Sequence, residues 1–97
     1  MIRHVVLFTW DSEMTEEMEQ QFAAELTALA PKLAGLRDYH AGPDAGILEG
    51  NYDFAVVADF DDAESYLAYR ANTEHQQIIS RFSGPHAKER AAVQYEI

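Results

Sequence analysis

The sequence has 97 residues, of which 47% are hydrophobic and 25% charged, as in a small globular domain. Seven Lys and Arg against seventeen Asp and Glu give a net charge of −10, which argues against nucleic-acid and membrane-surface partners. The absence of cysteine excludes disulfides, thiolate catalysis and cysteine-bound zinc. No apolar run is long enough to span a bilayer, and the chain opens in a strand-like pattern rather than a signal peptide. We therefore expect one cytoplasmic domain over residues 1–97.

The first predicted element is a strand over residues 2–10, IRHVVLFTW, which is rich in β-branched and aromatic residues. Alternation along a strand divides these side chains between two faces. One face holds Ile2, His4, Val6, Phe8 and Trp10. The other holds Arg3, Val5, Leu7 and Thr9. Because both faces are largely apolar, we expect helices of the same chain to cover one and a partner subunit to cover the other.

A helix is predicted to follow the first strand. Thr15 is suited to cap its beginning, with Glu16 and Glu17 in the first turn, where the helix dipole favours negative charge. Apolar residues then recur at helical spacing: Met18, Phe22, Leu26, Leu29 and Leu33. Pro31 should kink or end this helix, and Gly35 is the expected stop.

The remaining elements complete an α+β pattern. In chain order, we predict a strand at Leu36–Ala41, a loop at Gly42–Gly50, a strand at Tyr52–Phe60, a helix capped by Asp61 or Asp62, a break at Asn72 and Thr73, a second helical stretch to Phe82, a helical turn within residues 85–90, and a strand at Ala91–Ile97. The order β-α-β-β-α-β is that of the ferredoxin-like fold, a four-stranded antiparallel sheet with helices on one face.

Three segments, IRHVVLFTW, NYDFAVVADF and LAYRANTEHQQII, resemble the stress-responsive dimeric A/B barrel (Dabb) family over nearly the whole chain. The resemblance implies a homodimer in which two four-stranded sheets face each other and close an α+β barrel. Some members of the family are polyketide cyclases that close a ring by aldol condensation without a cofactor. Their pocket lies between the sheet and the helices of each subunit.

The resemblance also implies site residues. The cyclase histidine of the first strand corresponds to His4, the tyrosine of the second helix to Tyr69, and the histidine after the helix break to His75. The cyclases carry another histidine on the third strand, where this chain has Phe54. A neutral imidazole can take a proton from a carbon next to a carbonyl, and a tyrosine hydroxyl can donate to the enolate oxygen that forms. The alternative is that His4 and His75 have structural roles only.

An apolar ligand pocket is expected between sheet and helices. Its predicted lining is Val6, Phe8, Phe22, Leu26, Phe54 and Val56. These residues also fit ordinary core positions, which is the alternative interpretation. The spacing of the four histidines and the carboxylates matches no metal-binding motif, and no glycine-rich phosphate loop is present, so we expect neither a metal nor another cofactor.

Three functions fit these observations. The first is a cofactor-free cyclase or lyase for a phenolic or polyketide-like substrate, with His75 as the main base, Tyr69 orienting it or polarising the carbonyl, and His4 in support. The second is a non-catalytic dimeric stress-response protein that binds a hydrophobic ligand or none, which Phe54 in place of histidine favours. The third is a cofactor-free oxygenase of aromatic substrates, with which Trp10 and the apolar pocket are compatible.

Overall fold

The fold has one antiparallel sheet with helices packed on one of its faces. The computed structural model describes residues 1–97, with the predicted order of elements. The elements are β1 (Ile2–Trp10), α1 (Glu16–Leu29), β2 (Leu36–Pro43), β3 (Phe54–Phe60), α2 (Ala63–Ala71), α3 (Thr73–Arg81), the short α4 (Ser83–His86) and β4 (Ala87–Glu96). This confirms the ferredoxin-like α+β fold. None of the helices has both the length and the hydropathy that crossing a membrane requires.

The four strands lie in the order β2-β3-β1-β4, and every neighbouring pair is antiparallel. The first strand is therefore central, with Val5 opposite Val57 of β3 on one side and Val93 of β4 on the other. The predicted division of β1 into two faces agrees with the observed burial. His4, Val6, Phe8 and Trp10 are buried against the helices, while Arg3, Val5, Leu7 and Thr9 are only half-buried.

The core fills the space between the helix-facing side of the sheet and the helices. Phe22 of α1 is fully buried at its centre and packs against the rings of Phe8, Trp10, Phe54 and Phe82 at centroid distances of 5.1–6.4 Å. Its burial is worth about 1.5–3 kcal/mol. The helix periodicity that predicted α1 thus places its apolar stripe on the sheet, with Phe22, Leu26 and Leu29 buried.

Side-chain caps fix where the helices begin. The Thr15 hydroxyl accepts a hydrogen bond from the Met18 N–H at 3.1 Å, and an Asp62 carboxylate oxygen accepts one from the Ser65 N–H at 2.8 Å. Asn72 separates α2 from α3, as predicted for the break, because its extended backbone (φ −62°, ψ 130°) cannot continue a helix. Each cap satisfies an N–H that the first helical turn leaves without a partner.

The connection from α1 to β2 follows from two residues. The helix ends at Leu29, and Pro31 lies in a 3-10 turn over Ala30–Lys32, so Leu33 falls outside the helix. Gly35 has φ +80°, in the left-handed region. A Cβ at Gly35 would also lie 2.1 Å from the Ser65 hydroxyl oxygen, so no other residue fits this turn.

Three strand boundaries differ from prediction by two residues or more. Most of residues 85–90, predicted as a helical turn, belong to β4, which begins at Ala87 because Trp10 and Phe8 of β1 pair there with Ala87 and Arg90. β3 begins at Phe54, two residues later than predicted, and β2 continues to Pro43, which pairs with Phe54. In each case pairing with a distant strand decides the boundary, and local composition does not record it.

Candidate functional site

A cavity of about 550 Å³ lies between the sheet and the helices. Its wall combines side chains from both layers. The lining residues are His4, Val6, Phe8, Phe22, Leu26, Val56, Tyr66, Tyr69, Arg70, His75, Gln76, Ile79, Ser80, Ser83, Gly84, Ala87 and Arg90. The volume suits a small organic molecule, and the mixture of apolar walls with a few polar groups is the usual composition of a ligand pocket.

His75 enters this cavity from the first turn of α3. The side-chain oxygen of Asn72 accepts a hydrogen bond from the His75 N–H at 2.9 Å and thereby fixes the start of the helix that carries the imidazole. The side chain is buried, and its Nδ1 has no hydrogen-bond partner in the chain. Burial, with a smaller contribution from the positive charge of Arg70, lowers the pKa of His75 to about 4. The ring is therefore neutral at pH 7 and can accept a proton.

Tyr69 packs directly against His75. The centroids of the two rings are 4.0 Å apart, and the Tyr69 hydroxyl is hydrogen-bonded to the Tyr39 hydroxyl at 2.9 Å. Burial is the main cause that raises the pKa of Tyr69 well above its ordinary range, and burial also raises the pKa of Tyr39 to about 12. Both phenols thus stay protonated. When Tyr39 donates to Tyr69, the Tyr69 hydrogen is free to bond to a ligand.

His4 reaches the same cavity from the centre of the sheet. Its ring centroid is 4.8 Å from that of Tyr66 and 6.2 Å from that of Tyr69. The Gln94 side-chain amide nitrogen lies 2.9 Å from Nδ1. An amide nitrogen can only donate, so Nδ1 accepts and Nε2 of the neutral ring carries the hydrogen. Burial, followed by repulsion from Arg90, from the His75 ring when it is protonated and from Arg70, lowers the pKa of His4 to about 4.

The three candidate acid–base residues, His4, Tyr69 and His75, therefore lie in the wall of one cavity. Five of the six predicted apolar residues also line it, namely Val6, Phe8, Phe22, Leu26 and Val56. The sixth, Phe54, does not. It packs against Trp10 and Phe22 at centroid distances of 5.6 and 5.1 Å and is 1% exposed, which places it inside the core and not at the cavity surface.

Several polar neighbours of the site were not predicted from the sequence. Tyr39 and Gln94 hold Tyr69 and His4 through their side chains, and Tyr66, Arg70 and Arg90 line the cavity. Alternation along β4 puts Arg90 and Gln94 on the helix-facing side, because they pair with Phe8 and His4 of β1. Arg90 escapes the sequence analysis because the predicted strand begins only at residue 91. Gln94 lies inside the predicted strand, but its bond to His4 spans 90 residues of sequence, which no local pattern shows. No group of three or more His, Asp or Glu side chains is arranged to hold a metal ion.

Comparison with known proteins identifies a matching family and several related structures. The stress responsive A/B barrel domain (Dabb) matches residues 2–97. A dimeric ferredoxin-like protein of unknown function from Thermobifida fusca is 35% identical, with a TM-score of 0.90 and coverage of 99% of this chain and 90% of that chain. No curated protein sequence matches this chain.

Two more distant structures share the fold. A dimeric protein of unknown function from Bacteroides fragilis is 23% identical, has a TM-score of 0.83, and is matched over 99% of this chain and 95% of that one. Hydroxynitrile lyase from Passiflora edulis is 17% identical, has a TM-score of 0.82, and is matched over 99% of this chain and 92% of the lyase. At such identities the likeness shows the fold alone. The match over residues 2–97 and the relative at 35% identity place this chain in the stress responsive A/B barrel domain family.

Proposed function

We propose that this protein is a cofactor-free acid–base enzyme that forms or breaks a carbon–carbon bond next to a carbonyl group of a phenolic or polyketide-like substrate. One observation carries the proposal: a buried, neutral His75 with an unpartnered ring nitrogen lies against Tyr69 in a cavity of about 550 Å³. A buried polar atom without a partner costs about 1–3 kcal/mol, so such an atom in a residue that lines a cavity favours a role toward a ligand.

In the bond-forming direction, His75 removes a proton from the carbon next to one carbonyl. The electron pair of that C–H bond becomes an enolate, and the Tyr69 hydroxyl donates a hydrogen bond to its oxygen. The enolate carbon then bonds to a second carbonyl carbon, and the oxygen of that carbonyl receives the proton from His75. No oxidation or reduction occurs, and bond cleavage is the same sequence in reverse.

His4 has a supporting role in this proposal. Gln94 holds its Nδ1, so the Nε2–H is the group that can donate to a second oxygen of the substrate. The aromatic and aliphatic walls, from Phe8, Phe22, Leu26 and Val56, exclude water and fit an apolar ring. Hydroxynitrile lyase from Passiflora edulis shows that a protein of the same fold can be a lyase.

We further propose that the chain forms a homodimer through the open face of its sheet. On this face Val5 and Leu7 are half-buried, and Val93 and Tyr95 are 53% and 46% exposed, with no element of the chain to cover them. Related chains from Thermobifida fusca and Bacteroides fragilis are dimeric. Two such faces packed together give the barrel that the family resemblance implies.

The enzyme proposal is tested by turnover of a linear polyketide by wild-type protein and by His75→Ala. We expect the substitution to reduce cyclisation by about 100-fold or more, the upper part of the range for a general base. Gln77→Ala is the matched control, because Gln77 is an exposed residue of α3 outside the cavity. Turnover by His75→Ala equal to that of wild type, with both variants folded, would remove the proposal.

The second candidate is a non-catalytic ligand-binding protein. Phe54, which is buried in the core and cannot move a proton, favours it, since the third strand supplies no acid–base group to the cavity. An apolar phenol that raises the melting temperature by several degrees without any turnover across carbonyl substrates would support this candidate over the enzyme.

A further inference from the structure

The charge around the cavity is opposite in sign to that of the chain. The whole molecule carries seventeen acidic and seven basic residues. Among the residues that line the cavity, however, there is no Asp or Glu, and there are two arginines, Arg70 and Arg90. In a chain of net charge −10, a cavity wall with positive charges only is an unexpected distribution.

These two arginines are also unpaired within the chain. The other three arginines each pair with a carboxylate: Arg3 with Asp59, Arg37 with Asp61 and Arg81 with Glu25. Lys32 approaches Glu74 at 3.9 Å. Neither Arg70 nor Arg90 has such a partner, so their guanidinium groups are available to a ligand.

Arg70 and Arg90 belong to opposite layers of the fold. Arg70 lies on α2, one residue after Tyr69, and Arg90 lies on β4, where it pairs with the cavity residue Phe8. Both side chains are exposed while lining the cavity, so the cavity has a guanidinium group on its helix side and another on its sheet side where it meets solvent.

Building on the proposed function, we infer that the substrate carries a carboxylate, which Arg70 and Arg90 bind where the cavity meets solvent while its apolar part lies beside Tyr69 and His75. A guanidinium group offers paired N–H donors that match the two oxygens of a carboxylate. The net charge of −10 disfavours a dianion such as a phosphate ester more than a monoanion.

Binding of a carboxylate to the two arginines would also change the pKa of the two buried histidines. The positive charge of Arg70 is one cause of the lowered pKa of both His75 and His4, and Arg90 contributes at His4. A carboxylate bound to these arginines would offset that charge and raise the pKa of both histidines, which makes each a stronger base when substrate is present. The arginines are thus specificity-determining residues in this inference.

The test uses 3-phenylpropanoate as the probe and 3-phenylpropanamide as its uncharged counterpart, with binding measured by calorimetry at low ionic strength. Wild-type protein should bind the carboxylate more tightly than the amide. Arg70→Gln and Arg90→Gln should each weaken carboxylate binding by about tenfold or more and leave amide binding unchanged. Lys88→Gln is the matched control, because Lys88 is an exposed β4 residue without an ion pair and outside the cavity, and its loss changes the net charge equally.

Other outcomes separate the failure of this inference from that of the proposed function. Equal binding of carboxylate and amide, equal losses in Lys88→Gln, or tighter binding of phenyl phosphate than of phenylpropanoate would overturn the carboxylate assignment alone. If wild-type protein binds neither probe yet cyclises a neutral polyketide, the inference fails and the enzyme proposal stands. Absence of both binding and turnover contradicts both.

Discussion

His75 and His4 combine burial with the absence of any carboxylate partner. Each is less than 10% exposed, and neither forms an ion pair. The other two histidines differ, because His40 and His86 lie within 3.1 Å of Asp38 and Asp11. A buried imidazole without a counter-ion stays neutral, which is the state that a general base needs before it takes a proton.

This environment predicts a pH dependence of stability. The pKa of each buried histidine falls from 6.5 to about 4 on folding. The unfolded chain therefore binds more protons between these values, so the free energy of unfolding should fall as the pH falls from about 6.5 to about 4. We expect the free energy of unfolding of His75→Gln to differ less between pH 7 and pH 5 than that of wild type, as measured by urea denaturation. A difference between the two pH values equal to that of wild type would contradict the assignment.

The Tyr39–Tyr69 pair allows the structural and chemical roles of Tyr69 to be separated. Tyr69→Phe and Tyr39→Phe each remove one hydroxyl of the same 2.9 Å hydrogen bond and keep both rings. Each should lower the free energy of unfolding by about 1 kcal/mol. Only Tyr69 lines the cavity, so Tyr69→Phe alone should reduce turnover, by about 100-fold for a lost enolate donor. Equal effects of the two variants on turnover would show that turnover depends on the hydrogen bond between the two hydroxyls and not on donation from Tyr69 to the enolate.

At the scale of elements, Asn72 joins two helices and positions the site. Its N–H bonds to the Tyr69 carbonyl at the end of α2, while its side chain caps α3 at His75. The residue that divides the two helices therefore touches the backbone of both candidate catalytic residues.

We expect Asn72→Ala to lower the free energy of unfolding by about 1 kcal/mol, the usual value of an N-cap, and to reduce turnover as well. Thr15→Ala removes the corresponding cap of α1, away from His75, and should reduce stability by a similar amount with turnover unchanged. Asn72→Asp, which keeps a capping oxygen, should restore both. If all three variants have wild-type turnover, the position of α3 does not depend on this cap.

The elements that sequence predicted well are those specified locally. Alternation in β1, the apolar stripe of α1 and the caps at Thr15 and Asp62 involve residues close in the chain. The structure has all of them, except that Leu33 of the predicted stripe lies beyond the end of α1. The start of β4 depends on pairing with Trp10, 77 positions away, which no local pattern records.

The same contrast between local and long-range contacts applies to the residues of the site. His4, Tyr69 and His75 were identified through family resemblance, which carries distant contacts implicitly. Gln94 and Tyr39 were missed, because their bonds to His4 and Tyr69 span 90 and 30 residues of sequence. Phe54 was placed in the pocket since an apolar strand residue has the same appearance whether it lines a cavity or fills a core.

At the scale of the whole molecule, the open face of the sheet is the main surface that the chain leaves uncovered. If a second copy covers it, Val93→Asp should convert a dimer to a monomer by placing a charge in an apolar contact. Leu67→Asp is the matched control, because Leu67 lies on α2 and is 57% exposed, close to the 53% of Val93. Light scattering after size exclusion gives the masses. Two variants of identical mass would contradict an interface at this face.

The enzyme proposal depends most on proton removal from carbon by His75, and this step can be measured without knowing the natural substrate. In D₂O, wild-type protein should accelerate deuterium incorporation next to the carbonyl of 4-phenyl-2-butanone, followed by proton NMR. His75→Ala should exchange no faster than buffer, and Gln77→Ala should match wild type. The role of His75 as the base would be contradicted if His75→Ala exchanged at the wild-type rate. It would also be contradicted if wild-type protein exchanged no faster than buffer.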